Sequence, residues 1–131
     1  MILSDGEVRA MSALALAHMG DAVYEILARR EVCRSGKLTA GELHRQTIRY
    51  VSAPAQARAA ETIRPHLTDE EDAVFRRGRN AHVHMIPKIA TYREYAMATG
   101  LECLFGYLYL SGQTGRINEL FQLTMEDANA D

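Results

Sequence analysis

Four copies of one short helix-start pattern constrain the fold of this 131-residue chain more than any other feature. In this pattern a Ser or Thr is followed three residues later by Glu, so that each side chain can bond a free amide of the first helical turn. The four pairs are Ser4/Glu7, Thr39/Glu42, Thr68/Glu71 and Thr91/Glu94. No stretch alternates apolar and polar residues for long enough to indicate a strand. The sequence therefore predicts an all-α fold, a helical bundle.

The spacing of apolar residues predicts six helices after a short helical turn at the N-terminus. They are expected at about 11–34, 40–50, 52–64, 69–77, 91–110 and 115–128. We find no internal repeat, no low-complexity segment and no linker rich in Gly, Ser or Pro. A single domain covering residues 1–131 is therefore expected.

The composition is that of an ordinary soluble globular protein, with 47% hydrophobic and 24% charged residues. The N-terminus has no basic region of the kind that begins a signal peptide, and no apolar run reaches the roughly 18 residues of a membrane span. We therefore expect a cytoplasmic protein. Its two cysteines, Cys33 and Cys103, are far apart in sequence and are expected to be reduced and structural.

Charge is distributed unevenly along the chain, although the net charge is only −2. Residues 29–93 contain 13 basic and 7 acidic residues, whereas the rest contains 2 basic and 10 acidic residues. A nearly neutral protein of this kind can still present a basic face beside acidic ends.

An aspartate interrupts the mostly apolar stretch "ALALAHMGDAVYEILA", residues 13–28. In a helix Asp21 shares a face with Ala17 and Glu25, and we expect it to be partly buried. The preceding Gly20 costs a helix about 1 kcal/mol relative to Ala, but it lets another backbone or a ligand come close. Asp21 either belongs to a functional site or is solvated on a polar stripe with Glu25.

Glu102 is the only charged residue in "ATGLECLFGYLYL", residues 98–110. Burying a lone ionised carboxylate is costly unless it is paired or binds a metal. One interpretation is a buried ion pair between Glu102 and an Arg. The other is a joint site with Asp21, since two carboxylates on apolar helices can meet in a bundle. Together they would offer the oxygen ligands that Mg²⁺ prefers.

The stretch "RRGRNAHVHMIPK", residues 76–88, carries a cluster of basic and amide groups. Its candidate phosphate-binding residues are Arg76, Arg77, Arg79, Asn80 and Lys88, since the arginine fork suits phosphate. The alternative is a solvated helix end with local ion pairs to the acidic run at 69–72. His82 and His84 have no third ligand nearby in sequence, so we do not expect them to bind a transition metal.

Several of these segments together resemble the catalytic domain of ribonuclease III. "LALAHMGDAVYE" resembles the signature helix of that family, and the similarity is closer to the Mini-III ribonucleases, a short bacterial branch without a double-stranded-RNA-binding domain. The blocks "LHRQTIRYVSAPAQA", "RRGRNA" and "TYREYAMATGLECLFGYLYL" resemble the same branch and follow in the same order. The similarity covers nearly the whole chain.

The resemblance implies an all-helical homodimer that hydrolyses phosphodiester bonds in double-stranded RNA with Mg²⁺ and matures precursor ribosomal RNA. By position, Asp21 matches the catalytic aspartate and Glu102 the metal-binding glutamate. Three further positions that are acidic in full-length ribonuclease III hold Leu14, Ala17 and Thr99 here. The resemblance thus implies the sparse acidic site of the Mini-III branch.

Two other functions are compatible with an all-α chain of this kind. The chain could be a catalytically inactive RNA-binding relative within a ribonucleoprotein, but pure binding requires neither Asp21 nor Glu102. It could also be a helical protein-interaction module, which the clustered arginines disfavour. For the enzyme, neither motif offers a Ser, Cys or Lys nucleophile beside a base, so direct attack by water is the simplest expected mechanism.

Overall fold

The computed structural model describes residues 3–81 and 91–129, and every regular element within those ranges is helical. The helices are α1 (Asp5–Ala10), α2 (Ala13–Cys33), α3 (Ala40–Val51), α4 (Ala53–Ile63), α5 (Asp69–Arg79), α6 (Tyr92–Leu110) and α7 (Thr114–Asn129). A 3₁₀ turn, Arg64–His66, joins α4 to α5. The predicted all-α fold is confirmed, and each predicted helix matches an observed one within two residues at either end.

Local capping explains why the helix starts could be read so closely. All four predicted capping boxes form, at the starts of α1, α3, α5 and α6. Ser12 and Ser52 cap the two remaining helices of the first half, accepting from the amides of Ala15 at 3.0 Å and Ala55 at 3.4 Å. Each of these helices therefore begins where a side chain satisfies an otherwise free amide.

Helix α6 lies at the centre of the bundle, with α2, α4 and α5 packed around it. Its side chains Leu101, Leu104, Phe105 and Leu108 are completely buried. Tyr24 of α2 packs edge-on against Phe105, with ring centroids 5.3 Å apart. A charged side chain on such a helix therefore has few places to reach solvent.

Helices α2 and α6 cross with their backbones in direct contact. A Cβ atom on Gly20 would overlap the backbone carbonyl of Glu102, and a Cβ atom on Gly106 would overlap the carbonyl of Leu16. The glycines thus face the partner helix from both sides of the same crossing. The expectation that Gly20 admits another backbone is confirmed, and the backbone is that of the helix carrying Glu102.

A second close contact fixes α5 against another part of α6. A Cβ on Gly78 would lie 2.9 Å from the carbonyl oxygen of Thr99, and one on Gly100 would lie 2.9 Å from that of Phe75. The last turn of α5 is therefore held beside the α6 segment that precedes Glu102. No helix in the described ranges combines the length and apolar character that crossing a bilayer requires.

Both cysteines are free, as the sequence predicts. Cys103 is buried in the core, as expected of a structural cysteine. Cys33 is exposed at the end of α2, so the expectation of a structural role does not hold for it. Cys33 is the last residue of α2, and its neighbour Val32, which is 1% exposed, faces the core in its place.

We predict that Gly20→Ala destabilises the fold by about 3 kcal/mol or more, because the new methyl group would force the α2–α6 crossing apart. The measurement is urea unfolding followed by circular dichroism. Gly115→Ala is the matched control: it lies in α7, and a Cβ there would meet nothing within 4 Å. Equal stability of the two variants would show that the crossing does not depend on glycine.

Candidate active site

Asp21 of α2 and Glu102 of α6 lie next to each other where their helices cross. The two side chains interact through hydrogen bonding and through their charges. The contact of Gly20 with the Glu102 backbone brings them together, since Asp21 follows Gly20 directly. The structure thus joins the two carboxylates that the sequence analysis assigned to one site, whereas their catalytic role stays a prediction.

The expected partial burial of Asp21 is wrong. Its side chain is exposed, while Glu102 is half-buried. The reason is that Gly20, not Asp21, faces α6 at the crossing, which leaves Asp21 at the open margin of α2. The site therefore has one carboxylate held in the protein and one directed to solvent, where an incoming substrate can reach it.

The environment of Glu102 strongly favours its protonated form. Burial raises the pKa of the Glu102 carboxyl to about 8, with further raising effects from hydrogen bonding to Asp21 and from the charge of Asp21. Gln56 acts in the opposite direction. Within residues 3–81 and 91–129 no cation pairs with Glu102, so the alternative of a buried Arg–Glu pair is not what these residues form.

Gln56 is a member of the site that the sequence analysis missed. It lies in α4 and is 2% exposed, and hydrogen bonding with Gln56 lowers the pKa of the Glu102 carboxyl. The available signal was a long polar side chain in the alanine-rich run "APAQARAA". Such a residue on a short, otherwise small-residue helix face is expected to be buried only when a polar partner exists.

Glu25 takes part in a different interaction. Its carboxylate pairs with Arg29 one turn further along α2, at 3.0 Å. The polar-stripe interpretation of Asp21 is thus correct about exposure, since Asp21 and Glu25 both lie toward solvent. It does not account for the contact between Asp21 and Glu102.

The site offers few atoms that could bind a metal ion, and these are carboxylate oxygens. No group of three or more His, Cys, Asp or Glu side chains is close enough to hold a metal in the described part of the chain. Two positions that are acidic in full-length ribonuclease III add no carboxylate to this site. Leu14 is 52% exposed, and the Thr99 hydroxyl donates to the Tyr95 carbonyl at 3.0 Å. Two carboxylates, of which Asp21 is exposed to solvent, fit Mg²⁺, which usually keeps several waters.

The arginines at the end of α5 are partly engaged within the protein. Arg76 pairs with Asp72 at 3.0 Å, as the local ion-pair interpretation expected. Arg77 donates to the carbonyl of Met11 at 2.9 Å and so fastens α5 to the segment before α2. Both side chains are nevertheless exposed, and their remaining N–H groups can face a ligand.

The remaining predicted phosphate-binding residues divide between described and undescribed parts of the chain. Arg79 donates to the side chain of Asn80 at 3.3 Å, and Asn80 is the C-cap residue that follows α5. Lys88, His82 and His84 lie outside the described residues. The predictions for these three are therefore neither confirmed nor contradicted.

Comparison with known proteins places this geometry in a family. The chain matches the Ribonuclease III domain over residues 14–113. It is 48% identical over 109 residues to the Mini-ribonuclease 3 of Symbiobacterium thermophilum, covering 83% of this chain and 84% of that protein. It is 40% identical over 120 residues to the Mini-ribonuclease 3 of Clostridium tetani, covering 91% and 80%. The chain belongs to the Mini-ribonuclease 3 branch of the ribonuclease III family.

A solved structure carries the same fold. A crystal structure of a protein from Fusobacterium nucleatum superposes with a TM-score of 0.84 at 26% identity, covering 93% of this chain and 98% of that one. The resemblance stated from the sequence is confirmed. As a member of this family, the chain is an endoribonuclease.

We predict that the wild-type protein loses stability relative to Glu102→Gln as pH rises from about 5 to 8. The pKa of Glu102 is raised in the folded state, so the folded protein retains a proton that the unfolded chain releases above about pH 4.5. The protonated Glu102 carboxyl therefore makes its full contribution to the free energy of unfolding below about pH 4.5, and this contribution is lost as the pH approaches 8. The free energy of unfolding can fall by at most about 1.4 kcal/mol per pH unit, and the partial exposure of Glu102 reduces this loss.

The measurement is urea unfolding at several pH values, with Glu126→Gln on the exposed side of α7 as the control. The control should follow the wild type. If Glu102→Gln also follows the wild type across this range, the Glu102 carboxyl does not carry the raised pKa.

Proposed function

We propose that this endoribonuclease cleaves double-stranded RNA in a Mg²⁺-dependent reaction, as a homodimer in the cytoplasm, and that it matures precursor ribosomal RNA. The observation that carries the proposal is the contact between Asp21 and Glu102 at the glycine crossing. Two carboxylates in contact, one of them exposed, destabilise the protein unless a cation or a proton offsets their repulsion. Function, not fold stability, explains such a pair.

Asp21 and Glu102 would hold the ion. When bound, Mg²⁺ lowers the pKa of a coordinated water and stabilises charge on the phosphate. Both carboxylates would have to be ionised to hold a divalent cation, so Glu102 would release to solvent the proton that its environment favours. Exposed Asp21 meets the substrate side, and half-buried Glu102 anchors the site to the central helix. Water is the nucleophile, since neither motif places a Ser, Cys or Lys there.

Duplex binding is proposed for the end of α5 and the segment after it. Arg76, Arg77, Arg79 and Asn80 would contact phosphates, with Lys88 as a further candidate. Arg79 and Asn80 also line a cavity of about 290 Å³ together with Arg64 and Arg93. Such contacts recognise the shape and charge of an A-form duplex and not its base sequence. The basic middle of the chain supports this assignment.

We predict that Asp21→Asn and Glu102→Gln each abolish cleavage of duplex RNA in Mg²⁺ while leaving the circular dichroism spectrum and duplex binding intact. Each change removes one ionisable ligand and preserves side-chain size. Glu25→Gln should reduce the rate less, because Glu25 is held by Arg29. Glu126→Gln is the control.

Wild-type turnover by either site variant would remove the basis for the metal site. Duplex binding without any cleavage by the wild-type protein, at any Mg²⁺ concentration, would instead favour the catalytically inactive RNA-binding relative. The same assay therefore separates the two functions.

The exposed face of α2 supports the homodimer. Leu14 is 52% exposed and Ile26 is 67% exposed, with exposed His18 and Ala22 between them on the same side of the helix. This largely apolar stripe, interrupted by His18, runs beside Asp21. A two-fold interface along it would bring two sites near each other on opposite sides of one axis, which matches the two antiparallel strands of a duplex.

We predict that differently tagged wild-type and Asp21→Asn subunits form heterodimers that nick one strand of a duplex. Wild-type homodimers should instead make two staggered cuts. Sedimentation gives the mass, and mapping of product ends gives the cuts. A monomer in solution that still produces paired, staggered cuts would contradict the proposed assembly.

A further inference from the structure

Three arginines in the described part of the chain form no hydrogen bond and no ion pair through their side chains. They are Arg45 and Arg49 of α3 and Arg58 of α4. The chain has 17 acidic residues, and other exposed arginines do find carboxylate partners, as Arg29 does at 3.0 Å and Arg93 at 2.6 Å. An unpaired arginine on a surface is by itself an ordinary solvated side chain. Two of these three, however, share one location.

Arg49 and Arg58 line the same cavity, which lies between α3, α4 and α7 and has a volume of about 640 Å³. Arg45, one turn earlier on α3, does not line it. The inner wall of the cavity includes Tyr24 and Thr124, which are 1% and 5% exposed. Small-molecule sites commonly have volumes of about 300–1,000 Å³. The cavity therefore has the size of such a site and reaches the edge of the core.

The cavity also contains a carboxylate, which is held away from the two arginines. Asp127 of α7 lines the cavity, and its carboxylate accepts from the Thr62 hydroxyl of α4 at 3.0 Å. It pairs with neither Arg49 nor Arg58. Two cations and one separate anion give the cavity a positive balance, which favours an anionic ligand. The carboxylate remains able to accept from an uncharged polar part of the same ligand.

A nucleoside phosphate has the two chemical parts that these residues suit. Arginine forks bind phosphate oxygens through paired N–H groups, whereas a carboxylate accepts from ribose hydroxyl or base N–H groups. Inorganic phosphate would use the arginines alone and would leave most of the volume empty. A duplex carries its phosphates on its outer surface, so its backbone could contact exposed Arg58 but would not reach Tyr24 at the inner wall. The cavity thus fits a free nucleotide better than either.

We propose that the cavity between α3, α4 and α7 binds a free nucleoside phosphate, with Arg49 and Arg58 on its phosphate groups and Asp127 on its nucleoside part. This site is separate from the proposed metal site, since neither Asp21 nor Glu102 lines the cavity. Its ligand therefore binds without RNA and without a divalent cation.

The experiment is isothermal titration calorimetry of the full-length chain with ADP, GDP, CDP, UDP or inorganic phosphate, without RNA or divalent cations. At least one diphosphate should bind once per chain, about tenfold or more tighter than inorganic phosphate, because only the nucleotide reaches Asp127. Arg49→Gln and Arg58→Gln should each weaken its binding about tenfold, since each removes a charge-assisted hydrogen bond. Arg45→Gln is the matched control, because Arg45 is also unpaired but lies outside the cavity. It should bind as the wild type does.

Asp127→Asn tests the two parts of the ligand separately. It should weaken binding of the nucleoside diphosphate and not that of inorganic phosphate, since Asp127 is assigned to the nucleoside part alone. Circular dichroism checks that each variant is folded.

Four results would overturn the proposal. The first is that the wild type binds none of the four diphosphates at millimolar concentration, and the second is that it binds inorganic phosphate as tightly as all of them. The third is that Arg45→Gln loses as much affinity as Arg49→Gln and Arg58→Gln, which would indicate general charge attraction. The fourth is that a short RNA duplex displaces the diphosphate and that only the two cavity variants bind this duplex more weakly, which would assign the cavity to the RNA.

Discussion

At the crossing of α2 and α6 the two backbones touch, because neither Gly20 nor Gly106 has a side chain to separate them. The contact sets the register of the two central helices. It also brings the two carboxylates together, since Asp21 directly follows Gly20 and Gly20 touches the backbone of Glu102. Core packing around Tyr24 and Phe105 then holds the crossing in place. The same contact thus serves the fold and the site.

The crossing creates an electrostatic conflict that the rest of the site manages. Two carboxylates meet at the surface of an apolar helix pair, and the pKa of Glu102 rises to about 8 in response. Gln56 acts in the opposite direction and lowers the pKa of Glu102. A site of this kind is poised to exchange a proton for a cation, and it is more stable in isolation without its charge. Stability is therefore sacrificed at the position where the proposed chemistry occurs.

The sequence predicted what depends on local chemistry. The capping boxes determine helix starts within a few residues, and Glu102 could be singled out because a lone charge in an apolar helix needs a partner. The exposure of Asp21 could not be predicted, because it depends on whether Asp21 or the preceding Gly20 faces α6 at the crossing. Gln56 was missed for a related reason: its long polar side chain in "APAQARAA" indicates a polar partner, but the sequence does not reveal that α4 passes beside α6 at Glu102. Arg77 likewise reads as a free cation until Met11 is seen beside it.

A crystal of the wild-type protein soaked in Mn²⁺, with diffraction data collected at the manganese absorption edge, tests the central claim most directly. The claim is that the glycine crossing assembles a divalent-cation site from Asp21 and Glu102. It predicts an anomalous difference peak within about 2 Å of an oxygen of each carboxylate. The claim would be contradicted by an intact crossing with no peak there, or by manganese bound only at other side chains.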